Sequence, residues 1–151
     1  MAVNPVEEQI RLFAKHLKIP TFGDYNEVLR RMKPEDRFED ILLELMKTEG
    51  IQRRENQNQR RLKVAWFPYR KTLDELDLNR YGGAITGAFL NELGSCKFVS
   101  DKKNIVMIGN PGRGKTHLAI GIGLKACSQG LNVLFKNAAA LSTELAEARD
   151  N

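Results

Sequence analysis

The sequence predicts an incomplete α/β domain at the C-terminal end of the chain, preceded by a small all-α domain. Residues 104–108 are a short apolar run without alternation, which is typical of a strand buried on both faces. A glycine-rich loop follows at once, and residues 115–128 then have the pattern of a helix that Gly130 closes. Residues 133–135 predict a second short strand. In residues 1–63, by contrast, apolar side chains repeat at helical spacing.

Two amphipathic helices account for most of the N-terminal part. Asn4 can cap the first helix, with Pro5 at its first position, and its apolar residues are Val6, Ile10, Phe13 and Leu17. We expect Pro20 and Gly23 to break this helix. A second helix is predicted to open at Pro34 with acidic residues in its first turns. Its apolar stripe comprises Phe38, Ile41, Leu42, Leu45 and Met46.

The basic residues are concentrated between positions 51 and 71. This stretch holds seven positive charges against one negative, while the whole chain has a net charge of +5. A polyanionic partner is therefore plausible, and non-specific DNA is the predicted one. A merely solvated helix face explains the same charges almost as well. The predicted DNA-binding residues are Arg53, Arg54, Arg60, Arg61 and Lys63.

Composition excludes several classes of protein. With 42% hydrophobic and 28% charged residues, the chain is predicted to be globular and soluble rather than disordered. No apolar run is long enough to span a membrane, and the N-terminus has no secretory signal pattern. Cys96 and Cys127 lack metal-ligand spacing. We therefore expect a cytoplasmic protein with reduced cysteines and no membrane partner.

The segment between the two domains is punctuated by turns. Pro68, within residues 66–69, excludes a regular helix interior, so the aromatic residues there predict a linker with apolar anchors or, alternatively, bases stacked on rings. Ile85, Phe89 and Leu93 repeat every four residues and predict a short helix that ends at Gly94. Residues 138–149, rich in alanine, leucine and glutamate, predict a last helix.

The glycine-rich loop has the spacing Gly-x-x-x-x-Gly-Lys-Thr, the phosphate-binding pattern called Walker A. Its glycines allow several backbone N–H groups to point inward, and the following helix adds the positive end of its dipole. Lys115 supplies a cation for the outer phosphates, and Thr116 a hydroxyl for Mg²⁺. A P-loop NTPase core that binds ATP is therefore predicted. The nucleotide-binding residues are Gly109, Asn110, Pro111, Gly112, Arg113, Gly114, Lys115 and Thr116.

Hydrolysis has no assignable residues. A working NTPase needs an acidic residue at the end of a second buried strand, where it holds the magnesium ion. The acidic residues after Thr116 lie on or just beyond a helix; they are Glu144, Glu147 and Asp150. His117 follows the loop directly, and we expect it to be packed or solvated rather than catalytic. No catalytic residue is therefore predicted, and nucleotide binding is better supported than hydrolysis.

Three stretches, residues 67–77, 109–120 and 133–135, together resemble the IstB-like ATP-binding proteins. Residues 17–22 and 60–63 look like the helical domain of that family. These proteins are helper ATPases of insertion-sequence transposition and are similar to the bacterial helicase loader DnaC within the AAA+ group.

The resemblance implies an AAA+ fold, ATP and Mg²⁺ at the loop, and self-assembly on DNA with regulation of a transposase. Full members continue beyond the end of this chain with the acidic strand and the arginine finger, so a truncated member is expected. The implied domains are 1–63, helical and binding DNA or a partner; 64–103, a linker and the start of the ATPase module; and 104–151, the P-loop portion.

Two alternative functions stay open. One is a DnaC-like helicase loader, and the other is a fragment that binds DNA or protein without using nucleotide. In the implied AAA+ sheet, later strands lie between residues 105–108 and 133–135. Both segments are therefore expected to carry unpaired backbone groups and exposed apolar faces, which would make the nucleotide domain loose or dependent on a partner.

Overall fold

The computed structural model describes residues 4–81 and 83–149, except for the side chain of residue 80. The chain forms two compact units, Met1–Asn56 and Gln57–Asn151. The helices are α1 (Pro5–His16), α2 (Pro20–Gly23), α3 (Tyr25–Leu29), α4 (Phe38–Val64), α5 (Gly87–Gly94), α6 (Lys97–Ser100), α7 (Lys115–Ser128) and α8 (Ala138–Arg149). Two 3₁₀ turns, Leu73–Glu75 and Leu78–Tyr81, follow α4.

The first unit is held by local capping and a small apolar core. The side chain of Asn4 accepts a hydrogen bond from the Val6 N–H at 3.0 Å, which confirms the predicted start of α1. Ala14, Val28 and Leu45 are buried. Most of the predicted apolar stripe of α4 is exposed instead, including Phe38.

The predicted helix opening at Pro34 is wrong, because α4 begins at Phe38. Two aspartates hold the preceding residues in turns. Asp36 accepts a hydrogen bond from the Lys33 N–H at 2.7 Å, and Asp40 accepts one from the Arg37 N–H at 3.0 Å. Such side-chain acceptors offer the backbone an alternative to helical bonding, so they delay the helix by one turn.

One carboxylate, that of Glu49, lies buried in the first unit. It accepts a hydrogen bond from Arg53 Nε at 2.7 Å and another from the Thr21 N–H at 3.2 Å. Burial by itself raises the pKa of Glu49, but the bonds from Arg53 and Thr21 outweigh it and hold the pKa below its usual value. Glu49 therefore joins α4 to the start of α2.

Replacing Glu49 by glutamine should lower the free energy of unfolding by about 1 kcal/mol at pH 7, since a charged hydrogen bond is lost. Because the pKa of Glu49 is lowered in the folded state, its contribution is present above the unfolded pKa and is lost as pH falls through the folded one. Urea unfolding at pH 7 and pH 3 measures the free energy of unfolding of both proteins, and the difference between them should be smaller at pH 3. The exposed Glu55→Gln serves as control, and an equal effect of both variants would contradict the assignment.

The second unit has its core between α5 and α7. Leu90 and Leu93 of α5 pack with Leu118 and Ile122 of α7, and all four are buried. Partly buried apolar residues pack against this cluster. They come from the 3₁₀ turns and the residues that follow them, from α6 and from the segment before the loop, and they are Leu73, Leu76, Leu78, Ile85, Phe98, Ile105 and Met107. Helices α5, α7 and α8 lie where the sequence predicts them, and Gly130, at φ 94°, follows the end of α7 as expected.

The predicted α/β core is not confirmed. Across the described residues, 4–81 and 83–149, no segment forms a β-strand, and residues 104–110 and 131–137 have no regular secondary structure. Phe135 donates its N–H to the carbonyl oxygen of Ala65 at 2.8 Å, which is a single bond and not a strand ladder. A strand requires a neighbouring strand for its hydrogen bonds, and these two segments do not pair with each other.

Candidate functional site

The loop that carries the Walker A spacing lies directly before α7. Gly112 has φ 77° and Gly114 has φ 79°, both in the left-handed region that residues with a side chain seldom adopt. Gly114 is the N-cap of α7, and its carbonyl oxygen accepts the Leu118 N–H at 2.9 Å. The glycine pattern of the sequence thus has a conformational cause at these two positions.

The side chain of Lys115 folds back across the loop. Its Nζ donates hydrogen bonds to the carbonyl oxygens of Gly109 at 2.7 Å and Asn110 at 2.8 Å. These bonds join the first residues of the loop to the first residue of α7. The ammonium group therefore lies over the loop and does not point away from it.

The first turn of α7 provides backbone donors at the same place. The leading N–H groups of a helix have no acceptor within the helix, and Gly114 has no side chain with which to cap them. Together with the helix dipole, these groups favour an anion at this end. The loop therefore combines one ammonium group with uncapped amides, which is the donor set that phosphate oxygens require.

Thr116, the predicted magnesium ligand, is exposed in the first turn of α7. Within the described ranges, no cluster of three or more His, Cys, Asp or Glu side chains could hold a metal ion. The Thr116 hydroxyl is an oxygen ligand of the kind that Mg²⁺ binds together with phosphate oxygens and water.

Tyr81 is a neighbour of the loop that the sequence pattern does not predict. A Cβ atom built on Gly114 would lie 2.3 Å from the Tyr81 hydroxyl oxygen, so the tyrosine occupies the space that a side chain would need. A cavity of about 230 Å³ adjoins this contact, and it is lined by Lys71, Glu75, Leu76, Asp77, Tyr81 and His117. The one sequence signal for Tyr81 is that it is an aromatic residue directly before a pair of glycines.

His117 has a structural contact, as expected. Its Nε2 lies 2.8 Å from the carbonyl oxygen of Thr72, which connects α7 to the 3₁₀ turn that begins at Leu73.

At two glycines of α7, residues of the region before α5 occupy the space that a side chain would need. A Cβ on Gly121 would lie 2.6 Å from Leu73 Cδ2, and one on Gly123 would lie 2.7 Å from Phe67 Cζ. The predicted linker thus packs closely along α7.

The aromatic residues of the linker behave differently from one another. Phe67 packs against Phe135 with ring centroids 6.1 Å apart, whereas Trp66 is exposed. Lys71 Nζ lies 5.8 Å from the ring centroid of Tyr69. The anchor interpretation therefore holds for Phe67.

The predicted DNA-binding residues have unequal surroundings. Arg53 is engaged within the first unit, since its guanidinium group binds Glu49 and the Lys18 carbonyl oxygen, each at 2.7 Å. Arg54 Nε donates to the carbonyl oxygen of Gly50 at 3.3 Å. In the second unit the remaining three differ in exposure: Arg60 and Lys63 are exposed, and Arg61 is half-buried.

Both cysteines are buried free thiols. Burial raises the pKa of Cys96, opposed by the charge of Lys125, and burial raises the pKa of Cys127, opposed by the charge of Arg61. A raised pKa lowers the fraction of thiolate at neutral pH, and thiolate is the nucleophilic form of cysteine.

Comparison with known proteins now identifies the family. The profile of the IstB-like ATP binding protein family matches residues 14–151, which is nearly the whole chain. The chain belongs to this family. The family is described as one of ATP-binding proteins, and the loop described above lies within the matched residues.

Relatives of this IstB-like chain carry names from insertion sequences. The proposed ATP-binding protein of IS5376 from Geobacillus stearothermophilus is 33% identical over 111 residues, covering 74% of this chain and 44% of the relative. The proposed ATP-binding protein of IS21 from Pseudomonas aeruginosa is 35% identical over 117 residues, covering 78% of this chain and 44% of the relative. The chain therefore spans less than half the length of these relatives. None of its helices, as far as described, is long and apolar enough to cross a membrane.

Proposed function

We propose that this chain binds ATP through the loop from Gly109 to Thr116. The observation that carries this proposal is the Lys115 ammonium group held across the loop, 2.7 Å from the Gly109 carbonyl oxygen, beside the uncapped start of α7. On binding, phosphate oxygens would replace these carbonyl oxygens as acceptors, and Thr116 would contribute its hydroxyl to Mg²⁺. Family membership supports ATP as the nucleotide.

Replacing Lys115 by alanine should weaken ATP binding at least tenfold, because charged hydrogen bonds to phosphate contribute about 1.5–3 kcal/mol. Isothermal titration with ATP and Mg²⁺ measures the change. Lys125→Ala removes an exposed lysine near the other end of the same helix and should leave the affinity unchanged. Unchanged binding by the Lys115 variant would contradict the proposal.

The wider role that we propose is that of a nucleotide-binding part of an insertion-sequence transposition helper. The names of the relatives support this context. A transposase is then the expected protein partner, and self-assembly is expected of the full-length family. Recovery of a replicative helicase instead of a transposase, when both are offered to the chain as purified proteins, would favour the loader alternative.

We propose that Arg60 and Lys63 contact DNA, because both side chains are exposed. Arg53 is less free to do so, since it is hydrogen-bonded to Glu49. We expect the double variant Arg60→Gln/Lys63→Gln to weaken binding to any duplex and to reduce the slope of log affinity against log salt by about 2. Fluorescence anisotropy at several salt concentrations measures this slope. The matched control, Lys97→Gln/Lys102→Gln, removes two other exposed lysines; an equal loss there would argue against a defined contact.

A further inference from the structure

Trp66, the single tryptophan of the chain, is 75% exposed, although tryptophan side chains are on average highly buried. It follows the end of α4 by two residues and has φ 58°, a left-handed conformation for which glycine is preferred after a helix. Neither the packing nor the backbone at this position therefore requires a large aromatic ring.

The residues on either side of Trp66 are fixed within the second unit. Ala65 has no exposed surface, and its carbonyl oxygen accepts the Phe135 N–H at 2.8 Å. Phe67 packs against Phe135, and its Cζ would lie 2.7 Å from a Cβ built on Gly123. The indole ring is therefore carried by an anchored backbone, so placing it on a partner costs little conformational entropy.

The helix face that leads to Trp66 is basic. The last turns of α4 pack through Arg61 and Leu62, which are half-buried, whereas Arg60 and Lys63 lie on the exposed side. Side chains three residues apart are neighbours on a helix, and Arg60 lies about 6 Å from the helix end along its axis. Among the residues that the structure describes, neither of these two cations forms an ion pair.

The charge around the indole ring favours one class of partner. Residues 60–71 contain five positive side chains and no acidic one. A protein that docked on Trp66 would have to place lysines in the interface, where lysine is depleted. A nucleic acid uses both features, because its phosphates attract the cations while the π-face of a base stacks on an aromatic ring.

We propose that Trp66 is a stacking platform for an unpaired base of single-stranded DNA, and that Arg60 and Lys63 contact the phosphates of the same strand. The bases of a duplex are stacked on one another, so the ring reaches a base only where the strand is unpaired. The platform therefore distinguishes a single strand from a duplex, which phosphate contacts alone do not. This inference rests on the proposed contact of Arg60 and Lys63 with DNA.

The single tryptophan provides a direct measurement, because stacking on a base quenches the fluorescence of an indole ring. The full chain is titrated with an oligothymidine strand of about 16 nucleotides. We expect this strand to quench the Trp66 emission as it binds. A duplex of the same length and an abasic strand should bind through the cations without quenching.

Variants at Trp66 measure the contribution of the ring to affinity, with anisotropy of a labelled strand as the readout. Trp66→Leu should lower the affinity for oligothymidine about tenfold and leave the affinity for the duplex unchanged. Trp66→Phe keeps an aromatic face and should retain most of the affinity. The matched control Val64→Ala shortens another exposed apolar side chain and should change neither affinity. Circular dichroism verifies that the variants keep their helices.

The outcomes separate the stacking from the phosphate contact. If Trp66→Leu binds oligothymidine as well as the parent chain does, or if Val64→Ala loses as much affinity, the stacking platform is wrong while the phosphate contact survives. If neither form of DNA binds, both are wrong. If the Trp66 emission shifts to shorter wavelength with protein concentration and does not respond to DNA, a protein surface covers the ring instead.

Discussion

Replacing Gly121 by valine should destabilise the second unit by about 3 kcal/mol, because overpacking a close contact inside a core costs this much. Gly121 is buried in the middle of α7, and a Cβ there would lie 2.6 Å from Leu73 Cδ2 and 3.1 Å from the Leu73 backbone nitrogen. The side chain of Leu73 can move, but its backbone is fixed by the 3₁₀ turn and by the neighbouring contact between Thr72 and His117.

The smaller change Gly121→Ala provides a sharper test, because helix propensity and close packing predict opposite effects on stability. In an exposed helix, glycine to alanine stabilises by about 1 kcal/mol, so propensity alone would make Gly121→Ala more stable. We expect Gly121→Ala to be less stable than the parent in urea unfolding. Ala119→Val, at an exposed position of the same helix, controls for the helix propensity of valine and should change stability little. A more stable Gly121→Ala protein would show that the linker does not pack here.

Replacing Gly114 by valine should reduce ATP affinity by about tenfold to a hundredfold, on the proposed assignment of the loop. A β-branched residue at φ 79° costs about 1–3 kcal/mol of backbone strain, and its Cβ would meet the Tyr81 hydroxyl at 2.3 Å. The loop would relieve the backbone strain and the contact with Tyr81 by changing its conformation. Its backbone amides would then no longer point towards the phosphates.

Two further variants separate these causes. Gly112 has a similar φ of 77° but no atom within 4 Å of a built Cβ, so Gly112→Ala reports backbone strain alone. Combining Gly114→Ala with Tyr81→Ala removes the steric contact, and we expect part of the lost affinity to return. If the double variant binds no better than Gly114→Ala, Tyr81 has no part in shaping the loop.

Much of the local structure could be predicted because its causes are local. The Asn4 cap and Pro5 define the start of α1. Gly94 ends α5, and Gly130 follows the end of α7. The opening at Pro34 failed because aspartate side chains nearby compete for the backbone. That competition depends on side-chain geometry, which spacing does not reveal.

The sequence by itself determined the loop motif, the helices that follow it and the membership in the IstB-like family, since these depend on residue types at short, fixed spacings. Only the tertiary structure decided that residues 105–108 and 133–135, which the sequence predicts as strands, have no regular secondary structure. It also decided that Leu73 and Tyr81 fill the space beside two glycines of the loop and α7. Strand pairing and close packing require partners distant along the chain, so no local pattern can specify them.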